Sequence, residues 1–333
     1  MPFGSMGRWF RYPGDPMGVH PDVTDGGDMG YRPARMRLLV VTARFPTVDR
    51  PGAGAFVAER LAGVDAVVVA PDRYDRPGWR RYLRLACLAL TARGPFDGVE
   101  GHFVLPSGAV AWLAARIRRL PLVLVAHGSD VMEIAERTPV HRWLARRLVR
   151  SADVVVANSA ATAARVARLG RTADVVPPGI DLRRFVVRPR PTRRRVLYLG
   201  GAAEAKGFAA ARERADTLVG PGIREVSPAE IPILLAEHDV LLVPSRREGF
   251  GLAAAEAIAA GRWVVAHAVG GLTEIVVDGV NGTLVEPGGD LAAALAAVPD
   301  YDPAAVASTA RRFDVTRQRE AMAALWVRVL ARG

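Results

Sequence analysis

The chain of 333 residues contains a single cysteine, Cys87, so no disulfide can form within it and nothing points to an oxidising compartment. In Tyr82-Leu83-Arg84-Leu85-Ala86-Cys87-Leu88 that cysteine reads as a small core hydrophobe rather than a nucleophile. Lysine is as scarce: among the 45 basic residues Lys206 is the one lysine. A chain that otherwise uses Arg marks Lys206 as a place where a compact ammonium on a flexible stem fits better than a planar fork. No uninterrupted apolar run is long enough to span a bilayer, and Met1 to Arg35 lacks the apolar stretch of a signal peptide. The expectation is a reducing cytoplasm, with the inner face of the cell membrane as a peripheral location. No strand leads into Gly-x-Gly-x-x-Gly, which disfavours a nicotinamide oxidoreductase.

What is present is apolar content, 50% of the chain, and length enough for two cores. Charge divides unevenly. Residues 36–185 carry 23 Arg against 13 acids, whereas residues 186–333 are nearly balanced. A basic first half suits an anionic partner such as a membrane surface, or is plain Arg decoration of helices. Nucleic acid is disfavoured, since charge alone favours it and no recognition motif accompanies it.

Residues 1–35, rich in Gly, Pro, Asp and Met, read as a disordered leader or a misassigned start before Met36-Arg37-Leu38-Leu39-Val40-Val41. Short apolar strands then alternate with helices. Strands are expected at Leu38–Thr42, Ala66–Ala70, Leu122–His127, Val154–Ala157 and Asp174–Val176, and helices at 108–120, 140–149 and 162–169. A Pro- and Arg-rich stretch, 188–195, reads as a linker between a domain at 36–187 and another at 196–333. Alternation resumes with strands at Val196–Leu199, Thr217–Val219, Val240–Pro244 and Trp263–Ala266, and helices at 228–237 and 252–260. Continuous Val/Leu strands covered by helices imply an α/β fold of two doubly wound, Rossmann-like domains facing across a cleft.

The strand ending Val243-Pro244-Ser245 runs through Glu248-Gly249-Phe250-Gly251 into a helix opening at Leu252. Two glycines between strand and helix permit close backbone approach, and the helix start offers free N–H groups to an anion. That helix is apolar all round except for Glu256, a carboxylate in need of donors that a ribose diol would supply; the plain alternative is a carboxylate reaching out through a gap.

Glu-Gly-Phe-Gly-Leu-x-x-x-Glu-Ala, with seven residues between Glu248 and Glu256, resembles the donor-site signature of glycosyltransferase family 4, retaining enzymes of GT-B fold. The resemblance extends to His127-Gly128-Ser129-Asp130, Ala157-Asn158-Ser159, Pro177-Pro178-Gly179-Ile180-Asp181, Gly200 with Lys206-Gly207, and Gly270-Gly271-Leu272-Thr273-Glu274-Ile275. It implies a nucleotide-diphosphate sugar as co-substrate and no other cofactor. It implies that Glu256 holds the ribose, Glu248 the sugar, and Lys206 the leaving diphosphate. The amides of Phe250, Gly251 and Leu252, with Gly249 and Gly200, would line the donor. His127 would face the sugar from the other domain, its alternative being a satisfied core histidine. Gly52 and Gly54 would let the first loop approach donor and acceptor, or merely make it flexible. The acceptor would be a cell-envelope glycan, a lipid-linked or a small-molecule hydroxyl, and the absence of an Asp-x-Asp pair agrees with metal independence.

Two departures stand out. The family's Gly-Arg-Leu-x-x-x-Lys-Gly loop is here Gly200-Gly201-Ala202-Ala203-Glu204-Ala205-Lys206-Gly207, with Gly201 at the Arg position. The stretch from Lys206 to Glu248 is short, so the donor domain is expected to lack a helix or a strand–helix unit, with base recognition near 223–227. Both favour, as the competing reading, a weakly active or non-catalytic sugar-nucleotide-binding protein; an epimerase or phosphorylase of the same fold is a further alternative. On the acceptor side, helix 140–150 has Val140, Trp143, Leu144 and Leu148 along one face and Arg142, Arg146 and Arg150 along another. It is a candidate for contact with an anionic membrane, or an ordinary surface helix.

Overall fold

A computed structural model describes residues 10–11, 36–48, 50–71 and 78–332. Apart from residues 10–11, the expected leader lies outside the described residues. The first sheet contains β1 (Phe10–Arg11), β2 (Arg37–Thr42), β3 (Asp65–Val69), β4 (Gly98–His102), β5 (Leu122–Ala126), β6 (Val154–Ala157) and β7 (Asp174–Val175). Its order is β1-β3-β2-β4-β5-β6-β7, parallel except for β1. Leu38 to Val41 and Leu122 to Ala126 are buried because helices cover both faces of the sheet. α2 (Gly78–Thr91), α3 (Ser107–Arg118), α4 (Pro139–Ser151) and α5 (Ala160–Arg168) close one face. α1 (Ala55–Leu61) and the C-terminal helix, Val315–Leu330, close the other.

β4 was not among the expected strands. Its sequence, Gly-Val-Glu-Gly-His, puts Glu100 and His102 in the sheet interior, where a hydropathy pattern does not look for them. Gly98 and Gly101 make room there: a Cβ at Gly101 would lie 2.6 Å from that of Ala111, and one at Gly98 would strike the Trp326 ring. Cys87 also departs from expectation. α2 turns Leu85 and Ala89 inward, so Cys87 falls on the outer side and is exposed.

The second sheet has order β12-β11-β10-β8-β9, all parallel. Its strands are β8 (Val196–Leu199), β9 (Thr217–Val219), β10 (Val240–Val243), β11 (Trp263–His267) and β12 (Gly282–Val285). Five short helices and one mainly buried one pack on it: α6 (Phe208–Arg212), α7 (Ile231–Ala236), α8 (Leu252–Ala259), α9 (Leu272–Ile275), α10 (Leu291–Ala296) and α11 (Pro303–Ser308). Residues 188–194 are irregular but tethered to this half. Arg190 pairs with Asp239 at 2.9 Å and stacks on Tyr301, and Arg194 donates to the carbonyls of Leu295, Ala296 and Val298.

The chain crosses back at residues 313–315. Ile180 N–H donates to the Phe313 carbonyl at 2.7 Å, and Val315 N–H to that of Ile180 at 3.0 Å, so outgoing and returning segments are bonded side by side. The last helix, α12 (Val315–Leu330), then buries Met322, Leu325, Trp326 and Val329 against the first sheet.

Candidate active site

In a doubly wound sheet the ligand crevice opens where chain order reverses, beyond the strands' carboxyl ends. In the first sheet that point lies between β2 and β4, whose ends lead to Arg44 and Phe103. In the second it lies between β8 and β10, whose ends lead to Gly200 and Ser245. The two points face each other across a cavity of about 430 Å³. Arg44, Phe103 and His127 line it from one half, and Gly200, Lys206 and Glu248 from the other. A second cavity of about 220 Å³ shares Gly200, Lys206, Glu248, Gly251 and Leu252 and continues beneath the start of α8.

On the second half the geometry centres on one ion pair. Lys206 Nζ lies 2.7 Å from Glu248 Oε2, and Ser245 Oγ reaches the same oxygen at 3.3 Å. Lys206 stands on a 3₁₀ turn stopped by Gly207, whose φ of 71° and approach to the Pro244 carbonyl admit no side chain. Tyr198 braces the loop from below, donating to the carbonyls of Gly201 at 2.8 Å and Lys206 at 3.3 Å. Burial, with Glu248 nearby, pushes its hydroxyl up to about 12, so it stays a donor. Gly201 itself has φ 73°, and a Cβ there would meet the Pro221 carbonyl oxygen at 2.7 Å. The arginine expected at this position has no room; Arg44 and Arg247 line the same cavity instead.

Phe250 is buried, edge-on to Phe313 with ring centroids 5.5 Å apart, and Gly251, at φ 106°, turns the chain into α8. Glu256, one turn further on, lines neither cavity. It is half-buried beside the Glu59–Arg184 ion pair, and its carboxylate receives no hydrogen bond from the described residues. Burial pushes its carboxyl up to about 7; Arg184 opposes the rise and Glu59 adds to it. Gly52 and Gly54 do not line the cavity either. Gly54 starts α1 at φ 69° against the Arg44 backbone, so it shapes the loop that presents Arg44, and nothing approaches Gly52.

His127 is held from two sides. Asp130, fully buried, accepts from the amides of His127 at 3.0 Å and Val104 at 2.6 Å. Burial lifts Asp130 to about 6 while these amides oppose it, so it is ionised at neutral pH. On the ring side His127 Nε2 lies 2.9 Å from His102 Nδ1. Burial depresses both imidazoles well below 6.5, helped by Arg60 at His102 and by His102 and then Arg60 at His127, so both are neutral. His102 Nε2 is 2.8 Å from Glu100 Oε1, which also pairs with Arg60, while Trp326 Nε1 donates to Glu100 Oε2 at 3.0 Å. The His102–Glu100 approach is close but poorly aligned with a hydrogen bond, so its weight is electrostatic. Arg60 Nη2, which can only donate, also reaches His102 Nε2 at 3.4 Å, so the carboxylate and the guanidinium pull the His102 proton in opposite senses. Between the two neutral rings one nitrogen donates and the other accepts, and His127 Nδ1 takes the role opposite to that of its own Nε2. Asn158 donates to the His127 carbonyl at 2.9 Å while its own Oδ1, buried, has no partner.

The two halves touch directly. A Cβ at Gly128 would strike Gly249, and one at Gly249 would strike the His127 carbonyl, so both must be glycine for the loops to meet. Ser159 Oγ donates to the Gly249 carbonyl at 2.6 Å. Glu274 caps α5 from the other half, accepting from Ala160 at 2.9 Å and Ala161 at 3.0 Å. Gly270-Gly271 pack under the Glu248 carbonyl.

Residues 34–184 match the family described as Glycosyltransferase Family 4, and residues 223–302 match Glycosyl transferases group 1. The chain belongs to the family 4 glycosyltransferases. Residues 185–222, with Gly201 and Lys206, fall outside both family matches. Among the family's curated members, the D-inositol 3-phosphate glycosyltransferase of Geodermatophilus obscurus is 35% identical over 269 residues, 62% of this chain and 60% of that protein. The enzyme of the same name from Mycolicibacterium smegmatis is 29% identical over 301 residues, 72% of this chain and 68% of that protein. The chain therefore spans 60% of the length of the first of these relatives. Among solved structures, Anabaena HepE in complex with UDP and glucose superposes with a TM-score of 0.68 at 21% identity, covering 88% of this chain and 99% of that one. Sucrose-phosphate synthase from Thermosynechococcus elongatus gives 0.67 at 19%, covering 90% and 100%. At these identities the likeness establishes the fold, two facing Rossmann-like domains of GT-B type.

The reading from sequence missed Arg44, Phe103 and the Arg60–Glu100–His102 group, and gave Asn158 of the Ala157-Asn158-Ser159 motif no role. The one signal was Glu100 and His102, polar residues within a strand-forming stretch, which is how buried partners of a site look in a sequence.

Proposed function

We propose that the chain transfers a hexose-type sugar from a nucleoside-diphosphate sugar to an acceptor hydroxyl, with retention and without a metal. The observation that carries this is the meeting, in one cleft, of Lys206, Glu248 and the start of α8 from one half with Arg44 and His127 from the other. Breaking the sugar–phosphate bond builds charge on the departing diphosphate. Lys206, the amides of Gly251 and Leu252, and Arg44 and Arg247 in place of the missing loop arginine are disposed to stabilise it. Glu248, released from Lys206 by the diphosphate, accepts from sugar hydroxyls. His127 Nδ1 and Asn158 Oδ1 meet hydroxyls on the sugar's far side, Asn158 Oδ1 as an acceptor. Glu256, a carboxylate without a donor, takes the ribose diol once the nucleoside threads past α8. Among the described residues no three His, Cys, Asp or Glu side chains are grouped as a metal site requires.

The relatives' name makes a phosphorylated cyclitol the first acceptor to test, and the neighbouring structure's UDP makes UDP-sugars the first donors. The test is a thermal-shift panel of nucleotide sugars followed by turnover with the stabilising donor. The reading requires stabilisation of the wild type, its loss in Glu256→Ala, and turnover abolished by Glu248→Ala. Gly201 and the Lys206–Glu248 pairing favour a second reading, a sugar-nucleotide-binding protein without transfer; donor binding with no turnover on any acceptor would select it.

A further inference from the structure

We infer that the outer surface of α2, α3 and α4 is a docking face for an anionic phospholipid bilayer. The inference is independent of the chemistry assigned to the cleft. These helices lie side by side on one face of the first sheet and meet it through small or aliphatic residues: Leu85 and Ala89, Ala111 and Ala114, Ala145 and Leu148. That leaves a second apolar set turned to solvent. Trp79 is 65% exposed, Leu83 58%, Ile117 62%, Val140 70% and Trp143 63%. On α2, Trp79, Leu83, Cys87 and Leu90 repeat at helical spacing along the outer side, opposite the residues that hold the helix in place. In α4 the apolar face expected from sequence is divided: Leu148 goes inward, Val140 and Trp143 outward.

The charge carried by these helices has one sign, with Glu136, in the turn before α4, paired to Arg142. The three helices hold nine arginines and no acidic residue. Between α3 and α4 lies a hollow of about 500 Å³, walled by Trp112, Trp143, Arg116, Arg146, Arg147 and Arg150. Trp112 Nε1 is buried without a partner beside this hollow. Indoles with guanidinium groups around a hollow match a phosphate headgroup above and acyl carbon below. A second copy of this face would bring like charges together. An acidic polymer would satisfy the arginines and leave two tryptophans and several aliphatic chains in water.

Placement supports the same partner. Each helix runs back against its parallel strand, so the first turns, with Trp79, Val140 and Trp143, lie toward the strands' carboxyl ends, where the cleft opens. Docking on this face brings the cleft mouth to the lipid surface.

The experiment is co-sedimentation of the full chain with vesicles of phosphatidylcholine alone and of phosphatidylcholine with phosphatidylglycerol, at low and high salt. The expected result is binding to the anionic vesicles only, weakened by salt. Arg116→Glu/Arg146→Glu/Arg147→Glu should lower the partition coefficient by roughly 100-fold or more. Trp79→Ser/Trp143→Ser should lower it by about tenfold or more and abolish quenching of protein fluorescence by brominated acyl chains. All five positions are solvent-facing, and unchanged thermal unfolding midpoints would certify the fold. Equal binding to neutral vesicles, undiminished binding by the charge-reversed variant, or undiminished binding and quenching in the tryptophan variant would each overturn the inference. So would complete displacement from anionic vesicles by a short oligonucleotide, which would assign the face to nucleic acid.

Discussion

Glu256 provides the sharpest test of donor binding, because its proton and the ribose diol compete for one carboxylate. In the free protein its carboxyl is held at about 7 by burial, with no donor among the described residues. A diol donating two hydrogen bonds requires the ionised form. The apparent Kd then scales inversely with the fraction ionised, which falls about tenfold from pH 8 to pH 6 for a group titrating near 7. An ordinary glutamate would produce almost no change over that range. The confounding titrations are few: His102 and His127 lie well below 6.5, the diphosphate of an intact nucleotide sugar is a diester that does not ionise there, and Asp130, lifted to about 6, is shared with the Glu256→Gln control. Isothermal titration with a nucleotide sugar at pH 6, 7 and 8 should therefore show a Kd weakening about tenfold across the series and, near pH 7, release of about half a proton per ligand. Glu256→Gln should bind more weakly at pH 8 and show a flat profile. A flat profile in the wild type, or the same slope in both proteins, refutes the reasoning. The linked stability effect has the opposite sense to a salt-bridged acid: a carboxyl raised from 4.5 costs stability above that pH, fully so above about 7. Without ligand, Glu256→Gln should raise the unfolding midpoint at pH 8 and leave it unchanged at pH 4.

Other expectations follow from single contacts. Gly201→Arg, which restores the family residue, should cost about 1–2 kcal/mol or more by denaturant melts, because of positive φ and the Pro221 carbonyl, and should not tighten donor binding. Arg247→Ala should instead weaken donor binding severalfold with the fold intact, as read by titration. Trp326→Ala should cost about 3–5 kcal/mol, since a fully buried indole and its bond to Glu100 are both lost; loss below about 1 kcal/mol would contradict the packing of α12 on the first sheet. Glu274→Ala removes the cap that joins the two halves and should cost about 1 kcal/mol, with a larger radius of gyration in solution scattering if this contact holds the cleft shut.

Much of the architecture was determined by sequence alone. Val/Leu runs broken by helices specify parallel sheets covered on both sides, and both doubly wound units are present in the order expected. The strand–Glu248-Gly249-Phe250-Gly251–helix–Glu256 segment was equally legible, since each of its residue types answers a local geometric demand. Local pattern reports which residues share a face; it does not say which way the face turns. So Cys87 and Trp143, apolar by composition, proved to look outward, and β4 was invisible because Glu100 and His102 find their partners only in three dimensions. Arg60, His127 and Trp326 come to that pair from distant parts of the chain. The vacancy at Gly201 had the same character: sequence recorded a lost arginine, while tertiary structure added that no side chain fits there and that Arg44 and Arg247 face the same space. Covalent order governs propensity over a few turns, whereas the pairing of buried charge and the meeting of two loops through Gly128 and Gly249 depend on packing between segments about a hundred residues apart.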